Sequence, residues 1–373
     1  MVHCYVHIPF CRERCSYCDF FLVTRRELQP RFFTALREET AARRAELAGK
    51  SVRSIHFGGG TPSLVEPRFL ADWLHQLDRL AHVSGDAEIT LEANPEDLSD
   101  RRLSELAAIG VNRLSIGIQS FSSRKLQALG RAHDGMTARQ VVRHARKMFS
   151  NISIDLICGA EHESPGEWEG DLAAACSFDL PHVSVYMLTV EPGTMLARDL
   201  RNRRREVPGQ DEQAAFYLMA ADRLSASGFE HYEVSNFGRK GFFSRYNMGC
   251  WQREPYLGFG PSAHSLITRG THEVRRANAR SLTGYLRTPS ESVEFIEELT
   301  EEAVISERVF LSLRLQAGLR LDELRSLHTV FPEHLLEEFR RRGWVEVRSS
   351  GELRLTSRGY LFADFIAQEL LPG

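Results

Sequence analysis

With 373 residues, 42% of them hydrophobic and 26% charged, the chain has the apolar content for one large domain plus a small one, or two ordinary ones. A formal net charge of -3 at pH 7 gives no footing to general nucleic-acid or acidic-membrane binding, and no apolar run is long enough to span a bilayer. The opening MVHCYVHIPFC is too short and too polar for a signal peptide, so a cytoplasmic protein without a transmembrane segment is expected.

The first two-thirds of the chain alternates short apolar runs with longer helical patterns. Strands are expected at Tyr5–Pro9, Ser54–Phe57, Ile89–Glu92, Arg113–Ile118, Ile152–Ile157 and Val183–Leu188. Helices are expected between them, at Arg31–Ala48, Pro67–Ala81, Ser99–Ile109, Thr137–Met148 and Pro165–Cys176, and after the sixth strand at Asp211–Ser227. Six βα repeats with strands buried on both faces predict an α/β fold around a parallel sheet, curled by right-handed crossovers. Eight repeats close a full barrel. Six leave an open side, so a partial (β/α)6 barrel is expected over 1–238.

The basic run Arg201–Arg205 reads as a solvated helix end or loop. Residues 239–290, rich in glycine and aromatics up to Pro261 and without a clear period, read as an irregular cover. From 291 to 373 the pattern changes again: helices over Ala303–Leu313, Leu321–Ser326 and Glu333–Arg341, then a hairpin of Trp344–Arg348 with Glu352–Leu355. That order outlines a small winged-helix-like module. No basic recognition stripe marks it for DNA, so no nucleic-acid partner is expected.

Three of the seven cysteines, Cys11, Cys15 and Cys18, crowd into eight residues just after the first strand. A tight cluster in a chain without paired cysteine spacings points to metal rather than disulfides. Zinc needs a fourth ligand, and no second cysteine pair follows. A [4Fe–4S] cluster on three thiolates leaves one iron open for an exogenous ligand, which the amine and carboxylate of a methionine moiety can fill. Both readings stand on spacing alone. After the second strand comes Gly58-Gly59-Gly60-Thr61-Pro62-Ser63, which lacks the Gly-Lys-Ser/Thr of a phosphate loop. It is either a tight turn or a loop whose N–H groups approach an amino-acid-like ligand. Later strand ends carry Glu92, Asn94 and Gln119. Asp155 sits in an apolar run, where an unpaired carboxylate costs several kcal/mol; a ribose hydroxyl or Arg131 is its expected partner.

The run from Tyr5 through Cys11, Cys15, Tyr17 and Cys18 resembles the signature of radical S-adenosylmethionine (SAM) enzymes. More narrowly it is similar to oxygen-independent coproporphyrinogen III oxidase and to the related haem chaperone branch. The resemblance continues through GGGTPS (Gly58–Ser63), EANP (Glu92–Pro95), GIQSF (Gly117–Phe121), EPGT (Glu191–Thr194), YEVSNF (Tyr232–Phe237), YLGFGPSAHS (Tyr256–Ser265) and RLTSRGYLFAD (Arg354–Asp364). It implies a [4Fe–4S] cluster on Cys11, Cys15 and Cys18, with SAM contacted by Tyr5, Tyr17, Gly59, Gly60, Thr61, Glu92, Gln119, Arg131, Asp155 and Ala263. It also implies reductive cleavage of SAM to a 5′-deoxyadenosyl radical, and an electron donor such as flavodoxin or ferredoxin. Haem and a haem-accepting protein are the further partners it implies.

Three departures bear on the branch. The oxidase has a further cysteine two residues after the third, where this chain has Phe20, and its cluster motif lies behind a long extension. Both favour the haem chaperones. Those carry an HNxxYW motif whose histidine is associated with haem, whereas this chain reads Tyr246-Asn247-Met248-Gly249-Cys250-Trp251. Either Tyr246 or Cys250 takes over as iron ligand, or the site has lost it. Gly159-Ala160-Glu161 also stands where the family has Gly-Leu-Pro. A radical SAM C-methyltransferase using two SAM molecules is the alternative function; porphyrinogen oxidation is disfavoured.

Overall fold

The computed structural model describes residues 1–270 and 272–371. Strands β1 (Val2–Ile8), β2 (Ser51–Gly59), β3 (His82–Ala93), β4 (Arg113–Gln119), β5 (Asn151–Cys158) and β6 (His182–Met187) are parallel and lie side by side in chain order. Helices over Gln29–Ala42, Pro67–Leu80, Asp100–Ala108, Gly135–Ala145 and Pro165–Ser177 make the crossovers, and Gln210–Ala226 follows β6. Their starts are written locally. Ser99, Asp134 and Ser164 each accept a hydrogen bond from a backbone N–H three residues on, and prolines open the helices at Pro67 and Pro165.

The strands are apolar on one face only. Val6 and Ile8 of β1, Phe57 of β2, Leu114 and Ile116 of β4 and Ile154 of β5 pack outward against Phe32, Leu36, Trp73, Leu103, Val142 and Trp168 of the helices. The inward face is polar and paired across strands. His3 bonds Ser54 at 2.7 Å, His56 bonds Glu92 at 2.9 Å, Ser153 bonds His182 at 2.7 Å, and Arg113 donates to Asn151 Oδ1 at 2.7 Å. The strands are thus buried on both faces as expected, and cross-strand pairing satisfies the inner groups, which makes a polar lining affordable.

At one end β8 (Asn236–Gly238) runs antiparallel to β6, with β7 (Glu230–Glu233) outside it. At the other end β9 (Tyr256–Phe259) runs parallel to β1, followed by β10 (His264–Arg269), β11 (His272–Asn278) and β12 (Val293–Glu298), all antiparallel. The twelve strands form one open sheet with β12 and β7 at its edges, so the barrel is partial as expected. The stretch read as a cover supplies β9 to β11 and a helix, Arg245–Trp251. β9 escapes a period-two reading because it is buried almost throughout, and a Cβ on Gly258 would stand 2.0 Å from the His264 carbonyl oxygen.

The C-terminal part has its own core of Val309, Leu313, Leu324, Leu336, Phe339, Leu353 and Ile366, joined by Tyr217 from the helix after β6. It contains helices Glu301–Ser312, Leu321–Ser326 and Glu333–Arg341 with a three-stranded sheet of β13 (Leu319–Arg320), β14 (Val345–Val347) and β15 (Glu352–Leu355), closed by helix Ala363–Glu369. β12 still belongs to the large sheet, so this second core begins after it. Among the described residues no helix is long and apolar enough to cross a membrane.

Candidate functional site

A cavity of about 640 Å³ opens where the C-terminal ends of β1 to β6 converge. It is lined by Cys11, Cys15, Tyr17, Cys18, Gly59, Gly60, Thr61, Glu92, Gln119, Arg131 and Asp155, residues that the chain spreads over some 145 positions. Parallel strands all deliver their following loops to one end, which is how such distant residues meet. Tyr5 and Ala263 lie outside this lining. Tyr5 stacks lower in the bore on His56 and Tyr246, at ring-centroid distances of 5.9 and 5.7 Å. Ala263 is buried in the β9–β10 turn, its N–H donating to the Gly260 carbonyl.

The three cysteines face the cavity without meeting at a point. Among the described residues no three His, Cys, Asp or Glu side chains converge as a single bound ion requires. Cys11 Sγ lies 3.3 Å from Thr61 Oγ1, and Arg131 Nη1 points at Cys15 Sγ from 3.7 Å. Burial pushes the Cys11 thiol up to about 11 and raises that of Cys18, so metal binding there must displace protons.

The glycine run leads into a turn at Pro62–Leu64 and lines the cavity. The N–H groups of Gly59, Gly60 and Thr61 are spent within the protein, on Glu92 Oε2 (3.1 Å), the Ile8 carbonyl (2.8 Å) and the Phe10 carbonyl (2.8 Å). The run clips β2 to the end of β1 and so fixes the start of the cysteine loop. A Cβ on Gly59, where φ is +107°, would stand 2.6 Å from the His7 ring, and one on Gly60 would stand 2.8 Å from the Ile8 oxygen.

Arg131 does not meet Asp155. It donates to Asn94 Oδ1 at 2.6 Å and to the Gly117 carbonyl at 3.0 Å, while Ser115 Oγ donates to both Asp155 oxygens at 3.1 and 3.3 Å. Burial raises the Asp155 carboxyl to about 6 against the hydrogen bonds of Ser184 and Ser115. Three buried polar atoms of the lining have no hydrogen-bond partner: Gln119 Oε1, Arg131 Nε and Glu96 Oε2, the last standing 3.3 Å from the His133 ring. Gln119 also holds φ at +64°, a backbone conformation that is uncommon outside glycine and concentrates at binding sites. An acceptor and a guanidinium N–H left open beside three thiols fit a metal cluster with an amino-acid-bearing ligand. Ser115 and Tyr186 are among the further lining residues that were not singled out in the sequence. For Ser115 the signal was alternation: Ser115, Gly117 and Gln119 stand at every second position of β4.

A second cavity, of about 390 Å³, lies between the sheet and the C-terminal core, lined by Cys250, Trp251, Arg253, Tyr256, Leu266, Arg275, Ser306, Glu307, Phe310 and Leu311. Helix Arg245–Trp251 reaches both regions. Tyr246 is packed within the bore against Tyr5 and His56, and Cys250, one turn on and hydrogen-bonded to the Tyr246 side chain, lines the second cavity.

Comparison with known proteins bears on both regions. The model of the radical SAM superfamily matches residues 5–175, and that of the HemN C-terminal domain matches 299–362. The haem chaperone HemW of Bacillus subtilis is 32% identical over 373 residues, covering 98% of this chain and 97% of the relative. The haem chaperone HemW of Mycobacterium tuberculosis is 36% identical, covering 98% of this chain and 94% of the relative. Among solved structures, coproporphyrinogen III oxidase (HemN) of Escherichia coli superposes with a TM-score of 0.83 at 24% identity, over 99% of this chain and 89% of that one. At that identity the superposition speaks for the fold.

Proposed function

The chain belongs to the radical SAM superfamily and within it to the haem chaperone HemW family, and on that premise we propose that it binds haem and hands it to an acceptor protein. The observation that carries the reading is collinearity with HemW relatives over 98% of the chain, through both the barrel and the C-terminal core. The methyltransferase alternative has no comparable support.

Membership implies a [4Fe–4S] cluster and SAM. In this reading Cys11, Cys15 and Cys18 hold the cluster. Arg131 Nε and Gln119 Oε1, unpartnered in the protein, take the charged methionine end of SAM, and Asp155 with Ser115 takes its ribose hydroxyls. Glu92 is held by His56 and the Gly59 N–H to present its charge to the cavity. Tyr17 and Thr61 flank the thiols. Tyr5 and Ala263 act from behind, through packing. The cluster supplies low-potential electrons that can break a C–S bond of SAM, for which a flavodoxin or ferredoxin is the proposed donor.

Haem is cargo in this reading. Of the two residues standing where haem chaperones carry their motif, Cys250 lines the second cavity, beside Trp251, Tyr256 and Phe310. We therefore assign haem to the second cavity with the Cys250 sulfur towards iron. All seven cysteines are free thiols, which suits a reducing, cytoplasmic setting.

The test is anaerobic reconstitution followed by a hemin titration read by absorbance. One haem per chain, passed on to an apo-acceptor, supports the reading. No binding above nonspecific levels, with S-adenosylhomocysteine and an alkylated product instead, overturns it in favour of methyl transfer. Replacing Cys11, Cys15 and Cys18 together by alanine is expected to abolish the iron–sulfur chromophore, and a triple variant that kept its full iron and sulfide would sink the cluster assignment.

A further inference from the structure

The basic run Arg201–Arg205 divides sharply in the fold. Arg201, Arg203 and Arg204 are exposed, while Arg205 turns inward and is partly buried. Its guanidinium joins three loops at once. Nη1 donates to Ser16 Oγ at 3.2 Å, Nη2 to the Ala128 carbonyl at 2.6 Å, and Nε to Glu161 Oε2 at 2.8 Å. Ser16 lies between Cys15 and Tyr17, Ala128 ends the helix Ser123–Ala128 after β4, and Glu161 follows β5. The same strap of chain donates the Leu196 N–H to the Ser16 carbonyl at 2.8 Å. Beneath these bonds Leu129, Ala160 and Leu196 form a small separate apolar cluster with Tyr17 and Val207 packed on it.

We propose that Arg205 is a positioning residue that holds the cysteine loop in the shape the cluster needs, with Glu161 as its counter-ion. A guanidinium is suited to this because its planar fork can address three acceptors in different directions. A lysine would have one point charge for the same span. Glu161 holds its carboxylate on Arg205 Nε, with the Glu206 N–H at 3.4 Å. The inference rests on the cluster reading above for its meaning, though the restraint on the loop can be measured without any cluster.

The experiment compares Arg205→Ala, Arg205→Lys, Glu161→Gln and the exposed control Arg204→Ala with the wild type. In the apoprotein, hydrogen exchange of backbone amides 11–18 is expected to quicken about tenfold in Arg205→Ala, the usual weight of charge-assisted bonds. It should quicken less in Glu161→Gln, which keeps an acceptor, and stay unchanged in Arg204→Ala. In the reconstituted protein, iron loss to a chelator should follow the same order, with lysine failing to rescue. The electron paramagnetic resonance signal of the reduced cluster should respond less to added SAM in Arg205→Ala. Wild-type exchange and iron loss in Arg205→Ala would overturn the proposal, and so would full rescue by lysine. Should Arg205→Ala fail to fold, Glu161→Gln and Ser16→Ala carry the same comparison. A wild type that holds no iron while loop exchange still quickens in Arg205→Ala would refute the cluster reading and leave the clamp standing.

Discussion

Asp155 holds a carboxyl whose ordinary value near 3.8 is raised to about 6, chiefly by burial. Between these values the folded chain keeps a proton that the unfolded chain releases. Stability from this group is therefore full below about pH 4 and is lost as pH rises through 6, by about 3 kcal/mol at most. Asp155→Asn keeps an acceptor for Ser115 and removes the charge. Thermal melts of the apoprotein should then show a higher midpoint at pH 7 and a flatter profile between pH 4 and 6, while SAM affinity in equilibrium dialysis falls at least about tenfold, as losing a charged hydrogen bond implies. Equal midpoints and equal affinity would count against its assigned role. Glu233, raised to about 7 by burial, keeps its own window and limits the flattening. That Asp155 was costly was legible from its apolar neighbours. Its partner was not, because Ser115 becomes adjacent only when β4 and β5 pair.

At the scale of elements, the glycine clip ties β2 to β1 through backbone atoms that cannot swing aside. Gly60→Ala places a methyl 2.8 Å from the carbonyl oxygens of Ile8 and Phe10. A loss of about 1–3 kcal/mol in urea unfolding is expected, typical of overpacking, together with weaker iron retention. An unchanged midpoint would show that the crossing has room to spare. All six parallel strands and their helices were legible because apolar outward positions recur at fixed spacings, with side-chain caps marking the starts at Ser99, Asp134 and Ser164. The polar bore was harder to foresee: residues such as His3, His56, Arg113 and His182 are made affordable by partners on other strands. β9 escaped for a related reason, since its pairing with β1 joins residues about 250 positions apart.

Across the whole molecule, the two cores meet at a charged clasp. Arg253 pairs with both Glu273 and Glu307, and Glu307 pairs also with Arg275. Arg253, Arg275 and Glu307 line the second cavity, so Glu307→Ala should leave Arg275 without its partner, destabilise the chain by about 1–3 kcal/mol, and weaken haem binding with it. Chemical unfolding and a hemin titration of the variant check both effects; wild-type values in each would separate the clasp from the cavity. The cysteine loop, the strand-end residues and the C-terminal module could be read from motif and period, but neither the cavity beside Cys250 nor the packing of Tyr246 on Tyr5 and His56 could, because contacts between distant segments decide them.

The most direct measurement is a hemin titration of the reconstituted wild type beside Tyr246→Phe and Cys250→Ser. One haem per chain, retained by Tyr246→Phe and weakened at least about tenfold in Cys250→Ser, is the result this account predicts, the loss being that of an iron ligand. Absence of specific haem binding in the wild type would contradict the chaperone reading, and undiminished binding in Cys250→Ser would contradict the place assigned to haem.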